Sequence, residues 1–376
     1  MSKNASHALY IHWPFCKKKC PYCDFNSHVR EVVDESAWHD ALLAELRWYH
    51  DKADKRPLSS IFFGGGTPSL MPPSIAEALI LEAEKLFGFA PDIEITLEAN
   101  PTSTENAKLQ DLRSAGVNRL STGIQSLHPQ ALKFLGREHS VDEALQALEM
   151  AARIFPRYSF DLSYALPDQR LSDWETELQQ ALTYAGDHLS LYQLTIEAGT
   201  QFFHHHKSGK LIMPEEELAA EFYEATQAIM EAHHMPAYEI SNHAKAGGNA
   251  KHNVHIWRGR SYLGIGPGAH GRMDAADGNC YATYNLRSPE AWIAQESHGN
   301  EVMEKVNASD RQQEQILMGL RLRAGLQIDT SRWPTTYLEA LREEGLIEFN
   351  TQQLIPTKNG RMVLNRLTEG LVENLR

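Results

Sequence analysis

The chain lacks most of the features that would assign it to an extreme class. It has only four cysteines in 376 residues, too few for a disulfide scaffold. No apolar run is long enough to span a bilayer. The opening MSKNASHALYIHW lacks the apolar stretch of a secretory signal. These two absences make a cytoplasmic location the expectation. Basic residues are outnumbered, with 36 Lys and Arg against 49 Asp and Glu, a formal net charge of −13. No long basic block interrupts this balance, which argues against nucleic acid as the main partner. Low-complexity tracts and long linkers are also missing, while 42% apolar and 23% charged residues are ordinary for a globular protein with a closed core.

What the chain does have is alternation. Short apolar runs at 8–12, 60–63, 93–97, 118–122, 158–164 and 189–196 have the character of strands. Helical patterns at 34–50, 74–87, 104–115, 128–135, 141–154, 172–184 and 214–234 lie between and after them. Six strand–helix units predict an α/β fold: a parallel sheet with helices outside, as a partial or closed barrel. Chemistry in such sheets collects at the C-terminal ends of the strands. After about residue 300 the pattern becomes helix, helix, hairpin, helix, over 310–323, 335–344, 346–357 and 358–369. That order predicts a winged-helix-like module. The expected divisions are a core at 1–235, a barrel-closing segment at 236–300, and the mainly helical module at 301–376.

Three of the four cysteines lie within eight residues, in YIHWPFCKKKCPYCDF. In a reducing compartment this crowding marks a metal site. Spacings of three and two residues let one irregular loop present Cys16, Cys20 and Cys23 to a 4Fe–4S cluster. A structural zinc site would want four protein ligands. The fourth iron is served either by remote Cys280 or by the amine and carboxylate of an amino-acid ligand. The adjacent Lys17, Lys18 and Lys19 offset thiolate charge or form a solvated surface.

The string C-x3-C-x-aromatic-C after a first strand resembles the radical S-adenosylmethionine superfamily. YIHWPFC, GGGTPS, LEANP, GIQS, LGREH and ALPDQ, in this order, narrow the resemblance to the group of coproporphyrinogen III dehydrogenases (HemN type) and haem chaperones (HemW type). The likeness runs from about residue 8 to 270 and implies the partial (β/α)6 barrel of the superfamily. It implies an open iron that takes S-adenosylmethionine. Tyr10, Tyr22, Gly65, Gly66, Thr67, Glu98, Gln125, Arg137 and Asp161 match the cofactor-contacting positions. Tyr10 and Tyr22 would flank the cluster, and the glycines would let backbone approach the ligand. Glu98 and Gln125 suit ribose hydroxyls, and Arg137 suits a carboxylate. Asp161 is a charge in an apolar strand, which needs a partner. Ala165 stands where the group often has glycine, and GIGPGAHG at 264–271 would close the pocket.

Two positions choose the branch. HemN-type chains carry a further cysteine two residues after the third, and here that position is Phe25. Phenylalanine neither ligates iron nor transfers a proton. HemW-type chains carry HNxxYW, and this sequence has HNVHIW at 252–257, with Ile256 in place of tyrosine. The resemblance therefore implies haem bound through His252, with His255 as the competing ligand and Trp257 packing on the porphyrin. Without the resemblance, His252 is one of 18 histidines. The implied function is a carrier with no catalytic residue of its own, handing haem to an acceptor protein, a membrane-associated one included. The rival function is a radical enzyme acting on a porphyrin.

Overall fold

The computed structural model describes residues 6–295 and 302–375. Its first strand, β1 (His7–Trp13), is buried along nearly its whole length, as a strand covered on both faces must be. Two short pieces, β2 (Phe15–Cys16) and β3 (His28–Val29), pair in parallel and tie the base of the cysteine loop. The next strands are β4 (Leu58–Gly65), β5 (Phe89–Ala99), β6 (Arg119–Gln125), β7 (Arg157–Tyr164) and β8 (His188–Gln193). Together with β1 they fall on the six apolar runs of the sequence. Beyond them come β9 (Asn242–Ala244), β10 (Tyr262–Ile265), β11 (His270–Asp274), β12 (Cys280–Tyr284) and β13 (Val302–Lys305).

These strands, without β2 and β3, make one eleven-stranded sheet, ordered β13-β12-β11-β10-β1-β4-β5-β6-β7-β8-β9. The run from β10 to β8 is parallel throughout. β9 is antiparallel to β8, and β11, β12 and β13 extend the other side as a meander. The segment after residue 236 thus supplies strands to both flanks of the sheet.

Helices between the parallel strands cover the sheet. Helix Glu35–Lys52 starts at Asp34, whose carboxylate accepts from the Ala37 amide. Helix Val141–Ile154 starts at a reciprocal capping box of Ser140 and Glu143 and buries Ala144, Ala147, Leu148 and Ala151. The expected helix at 104–115 is instead two short ones, Ser103–Asn106 and Leu109–Ser114. The first is held by Glu105, whose buried carboxylate takes the Ser69 hydroxyl and the Asn100 amide.

The C-terminal module has its own core of Ile316, Leu320, Leu326, Trp333, Leu338, Ile347, Leu354, Leu367 and Leu371. Around it lie helices Ala308–Gly319, Thr335–Glu343 and Leu364–Glu373 and a small sheet of β14 (Leu326–Gln327), β15 (Ile347–Asn350) and β16 (Gln353–Pro356). Helices plus a hairpin match the winged-helix-like pattern. No helix among the described residues is long and apolar enough to cross a membrane.

Candidate functional site

The C-terminal ends of the parallel strands open onto a cavity of about 1190 Å³. Cys16, Cys20 and Cys23 line it, with Phe25 beside them. Each thiol has its own polar partner from a different element. The Thr67 hydroxyl donates to Cys16 Sγ (3.3 Å), Arg137 Nη1 donates to Cys20 Sγ (3.5 Å), and Ser27 Oγ lies 3.7 Å from Cys23 Sγ. Asn100, at the end of β5, links two of these partners. Its amide donates to Thr67 Oγ1 (3.1 Å), and its carbonyl accepts from Arg137, which also donates to the Gly123 carbonyl (2.7 Å). Sequence reasoning missed Asn100, although it stands in the LEANP string. Burial pushes the Cys16 thiol up to about 11, with the other two thiols adding to the shift, and burial likewise raises Cys23.

The geometry suits a cluster better than a single ion. Among the described residues no three His, Cys, Asp or Glu side chains converge on one point. A cuboidal cluster asks only that three thiolates face one space, each toward its own iron. Cys280 is elsewhere: it begins β12, close to Asp274, Arg311 and Glu314, and does not line the cavity.

Tyr22, Gly65, Gly66, Thr67, Glu98, Gln125, Arg137 and Asp161 all line the same cavity. Gln125 reaches it because β6 bulges between Thr122 and Gln125, which adopts φ 70°. Ser163 then donates to its side-chain oxygen (2.8 Å). Glu98 and Asp161 lie deep, open to the cavity and remote from bulk water. Burial pushes Glu98 up to about 8, with the Asp161 charge adding to it, and burial pushes Asp161 up to about 6 against hydrogen bonds from Ser190 and Ser121.

Three expectations change. Tyr10 does not line the cavity: its hydroxyl donates to His12 Nδ1 (2.9 Å), and His12 Nε2 donates to the Asn26 carbonyl (2.8 Å). It braces the cysteine loop from behind. Gly65 is required by packing inside the protein, since at φ 110° a Cβ there would lie 2.6 Å from the His12 ring. The GIGPGAHG turn does not line the cavity. It grips Asn26, whose amide donates to the carbonyls of Pro267 and Arg287 (both 2.9 Å), and a Cβ on Gly268 would lie 2.5 Å from that amide.

HNVHIW forms a short helix, Lys251–Trp257, whose faces divide the motif. His252 and His255 turn inward. The His252 ring stacks on Phe62 (4.9 Å, 30°), and its Nδ1 bonds Ser60 Oγ (3.0 Å). Burial lowers its pKa to about 3. His255 uses both nitrogens, on Ser59 Oγ (3.3 Å) and the Ser261 carbonyl (2.8 Å). Neither histidine lines the cavity. Asn253, Ile256 and Trp257 do face open space, a deeper chamber of about 280 Å³. It shares Glu98, Ser121, Asp161, Tyr192, Ser241 and Arg321 with the main cavity and so continues it inward. Arg321 of the C-terminal module lies over the Trp257 ring (4.5 Å).

Parallel strands ending at three cysteines and a ring of polar side chains define a radical S-adenosylmethionine protein, and the family model described as the Radical SAM superfamily matches residues 10–181. Among relatives, the zebrafish (Danio rerio) mitochondrial radical S-adenosyl methionine domain-containing protein 1 is 39% identical, over 86% of this chain and 76% of its own. The protein named heme chaperone HemW of Escherichia coli K12 is 37% identical, over 84% and 82% of the two chains. That of Bacillus subtilis is 33% identical over 96% and 97%. The solved structure of coproporphyrinogen III oxidase (HemN) from Escherichia coli superposes with a TM-score of 0.77, covering 97% of this chain and 90% of that one; at 21% identity it speaks for the fold alone. The chain belongs to the HemW family of the radical S-adenosylmethionine superfamily.

Proposed function

We propose that this protein is a haem carrier that holds a 4Fe–4S cluster on Cys16, Cys20 and Cys23, takes S-adenosylmethionine at the open iron and delivers haem to an acceptor protein. The cluster, when bound, supplies one-electron chemistry to the cofactor's sulfonium. The chain's own residues hold and orient. Thr67, Arg137 and Ser27 direct hydrogen bonds at the three sulfurs. Glu98 and Gln125 offer oxygens to ribose hydroxyls, and Asp161 offers one to a cationic amine. Phe25 carries the choice of carrier over enzyme. It is 57% exposed, lines the cavity next to Cys23 and stands where a dehydrogenase-type chain has its further cysteine.

His252 is the proposed iron ligand. With Nδ1 engaged by Ser60, Nε2 is the nitrogen left for a metal. The ring is packed against Phe62, so ligation requires the short helix Lys251–Trp257 to shift. Anaerobic reconstitution followed by haem titration tests the reading, with about one haem per chain as the expected result. His252→Ala should weaken haem binding and leave the cluster absorption intact. The complete set of polar strand ends supports the second reading, a radical enzyme acting on a porphyrin. Sustained conversion of coproporphyrinogen III by the reconstituted protein would establish that reading in place of the carrier.

A further inference from the structure

The chamber behind the main cavity contains an arginine with almost nothing to bind. Arg119, at the start of β6, is 2% exposed. Its guanidinium makes one long hydrogen bond, Nη1 to Thr96 Oγ1 at 3.4 Å, and its Nε has no partner. Among the described residues no carboxylate pairs with it in direct contact, and Glu98 and Asp161 attract it only from farther off. An arginine keeps its charge at physiological pH, and a buried cation without a counter-ion is costly. The surrounding groups repeat the pattern. Asn242 Oδ1 and Arg321 Nε are buried and unpartnered in the same chamber.

Of the acids nearby, Asp161, pushed up only to about 6, stays charged at neutral pH and attracts Arg119 while taking hydrogen bonds from Ser190 and Ser121; the other two are occupied or neutralised. Glu239 Oε1 accepts from the amides of Ser241 and Asn242 (2.7 Å each) and from Asn242 Nδ2 (2.8 Å), and its Oε2 pairs with Arg321 (3.3 Å). Glu98 is pushed up to about 8 by burial and so carries a proton at neutral pH. Ser121, Ser190 and Asn253 add small polar groups to the wall.

We propose that Arg119, assisted by Arg321, forms a carboxylate subsite at the inner end of the cavity, and that it takes one propionate of the tetrapyrrole. The identity of the ligand rests on the carrier reading above; the unpartnered guanidinium does not. Planar guanidinium matches carboxylate in a two-point contact. The chamber is too small for a macrocycle and is continuous with a cavity that is not. A ligand lodged in the larger space would therefore present only an acidic edge to the smaller one. Trp257 and Ile256 of the short helix form part of the same wall, so the subsite and the HNVHIW segment would bear on one ligand.

The test compares haem with its dimethyl ester, in the same detergent, by titration of the reconstituted full-length protein. The wild type should bind the diacid about tenfold to a hundredfold more tightly, the range for a hydrogen bond to a charged group. Arg119→Met should lose that preference while binding the ester as the wild type does, and Arg119→Lys should keep part of it. Equal binding of acid and ester by the wild type would overturn the subsite, and this arm decides even if Arg119→Met fails to fold. A second arm separates the other carboxylate source, the methionine end of S-adenosylmethionine. The cofactor's perturbation of the cluster's paramagnetic signal should survive in Arg119→Met. Loss of that response with the haem preference intact would assign the arginine to the cofactor and overturn the proposal. Failure of the wild type to bind either haem species would instead overturn the carrier reading, and this ligand with it.

Discussion

Single residues separate the roles that the sequence left open. Three thiols share a cavity and one does not, so Cys16→Ala, Cys20→Ala or Cys23→Ala should each abolish the iron–sulfur absorption of reconstituted protein. Cys280→Ala should leave it unchanged; loss of the cluster there would mean a fourth protein ligand. The two histidines of the short helix differ in the same way. His255 spends both nitrogens inside the fold, so its removal costs two hydrogen bonds and leaves a void, although Ser59 Oγ still reaches the His7 carbonyl and the Ser261 carbonyl still accepts from the Ala8 amide. We expect His255→Ala to cost about 2 kcal/mol of stability, read from a denaturant midpoint, without a specific effect on haem. Ala165 adopts φ 55°, a conformation that suits glycine. Relief of about 1–2 kcal/mol of left-handed strain outweighs the entropy that glycine adds to the unfolded chain. Ala165→Gly should thus be neutral or stabilising by up to about 1 kcal/mol in the same assay, and a clear loss of stability would contradict it.

Elements with strong local signals were legible, and those defined by distant partners were not. Helix Val141–Ile154 falls on its expected residues because four buried positions repeat at helical spacing behind a complete capping box. Ser140→Ala should cost about 1 kcal/mol and spare cluster binding, as the box is exposed and serves only the helix start. A change in iron content would show that the box also positions Arg137. By contrast, β9 to β13 are only three to five residues long, and the two that join this group to the sheet, β9 and β10, are placed by β8 and β1, far away in sequence. The HNVHIW helix has seven residues and no side-chain cap. Nothing local could reveal which of its faces meets Phe62 and which meets the chamber. Likewise the GGG turn carries no trace of the His12 ring behind Gly65. The cavity residues named from the sequence were legible because parallel strands bring their ends together; Asn100, on the same wall, was missed because its side chain acts through Thr67 and Arg137.

At the scale of the whole molecule, burial sets two opposed families of proton-binding groups. His12, His139, His243 and His255 are lowered to about 4 and His252 to about 3, each chiefly by burial, and His7 and His188 move in the same direction. Each stays neutral in the fold while the unfolded chain takes up its proton below the ordinary value of 6.5. Acidification from 6.5 toward 3 therefore removes stability. Glu45 and Glu98, both pushed up to about 8 by burial, act the other way. In the fold they keep protons that the unfolded chain releases above 4.5, so their contribution is lost as pH rises toward 8. Between 4.5 and 6.5 the two families compete, and the histidines are more numerous. Between 6.5 and 8 only the carboxyls act. The urea midpoint of the cluster-free chain should accordingly peak near pH 6.5 and fall on both sides. Glu98→Gln should flatten the limb between 6.5 and 8 while leaving the acid limb in place. A limb of unchanged slope in that variant would show that Glu98 does not hold its proton in the fold, and that the inner cavity carries more negative charge than its burial implies.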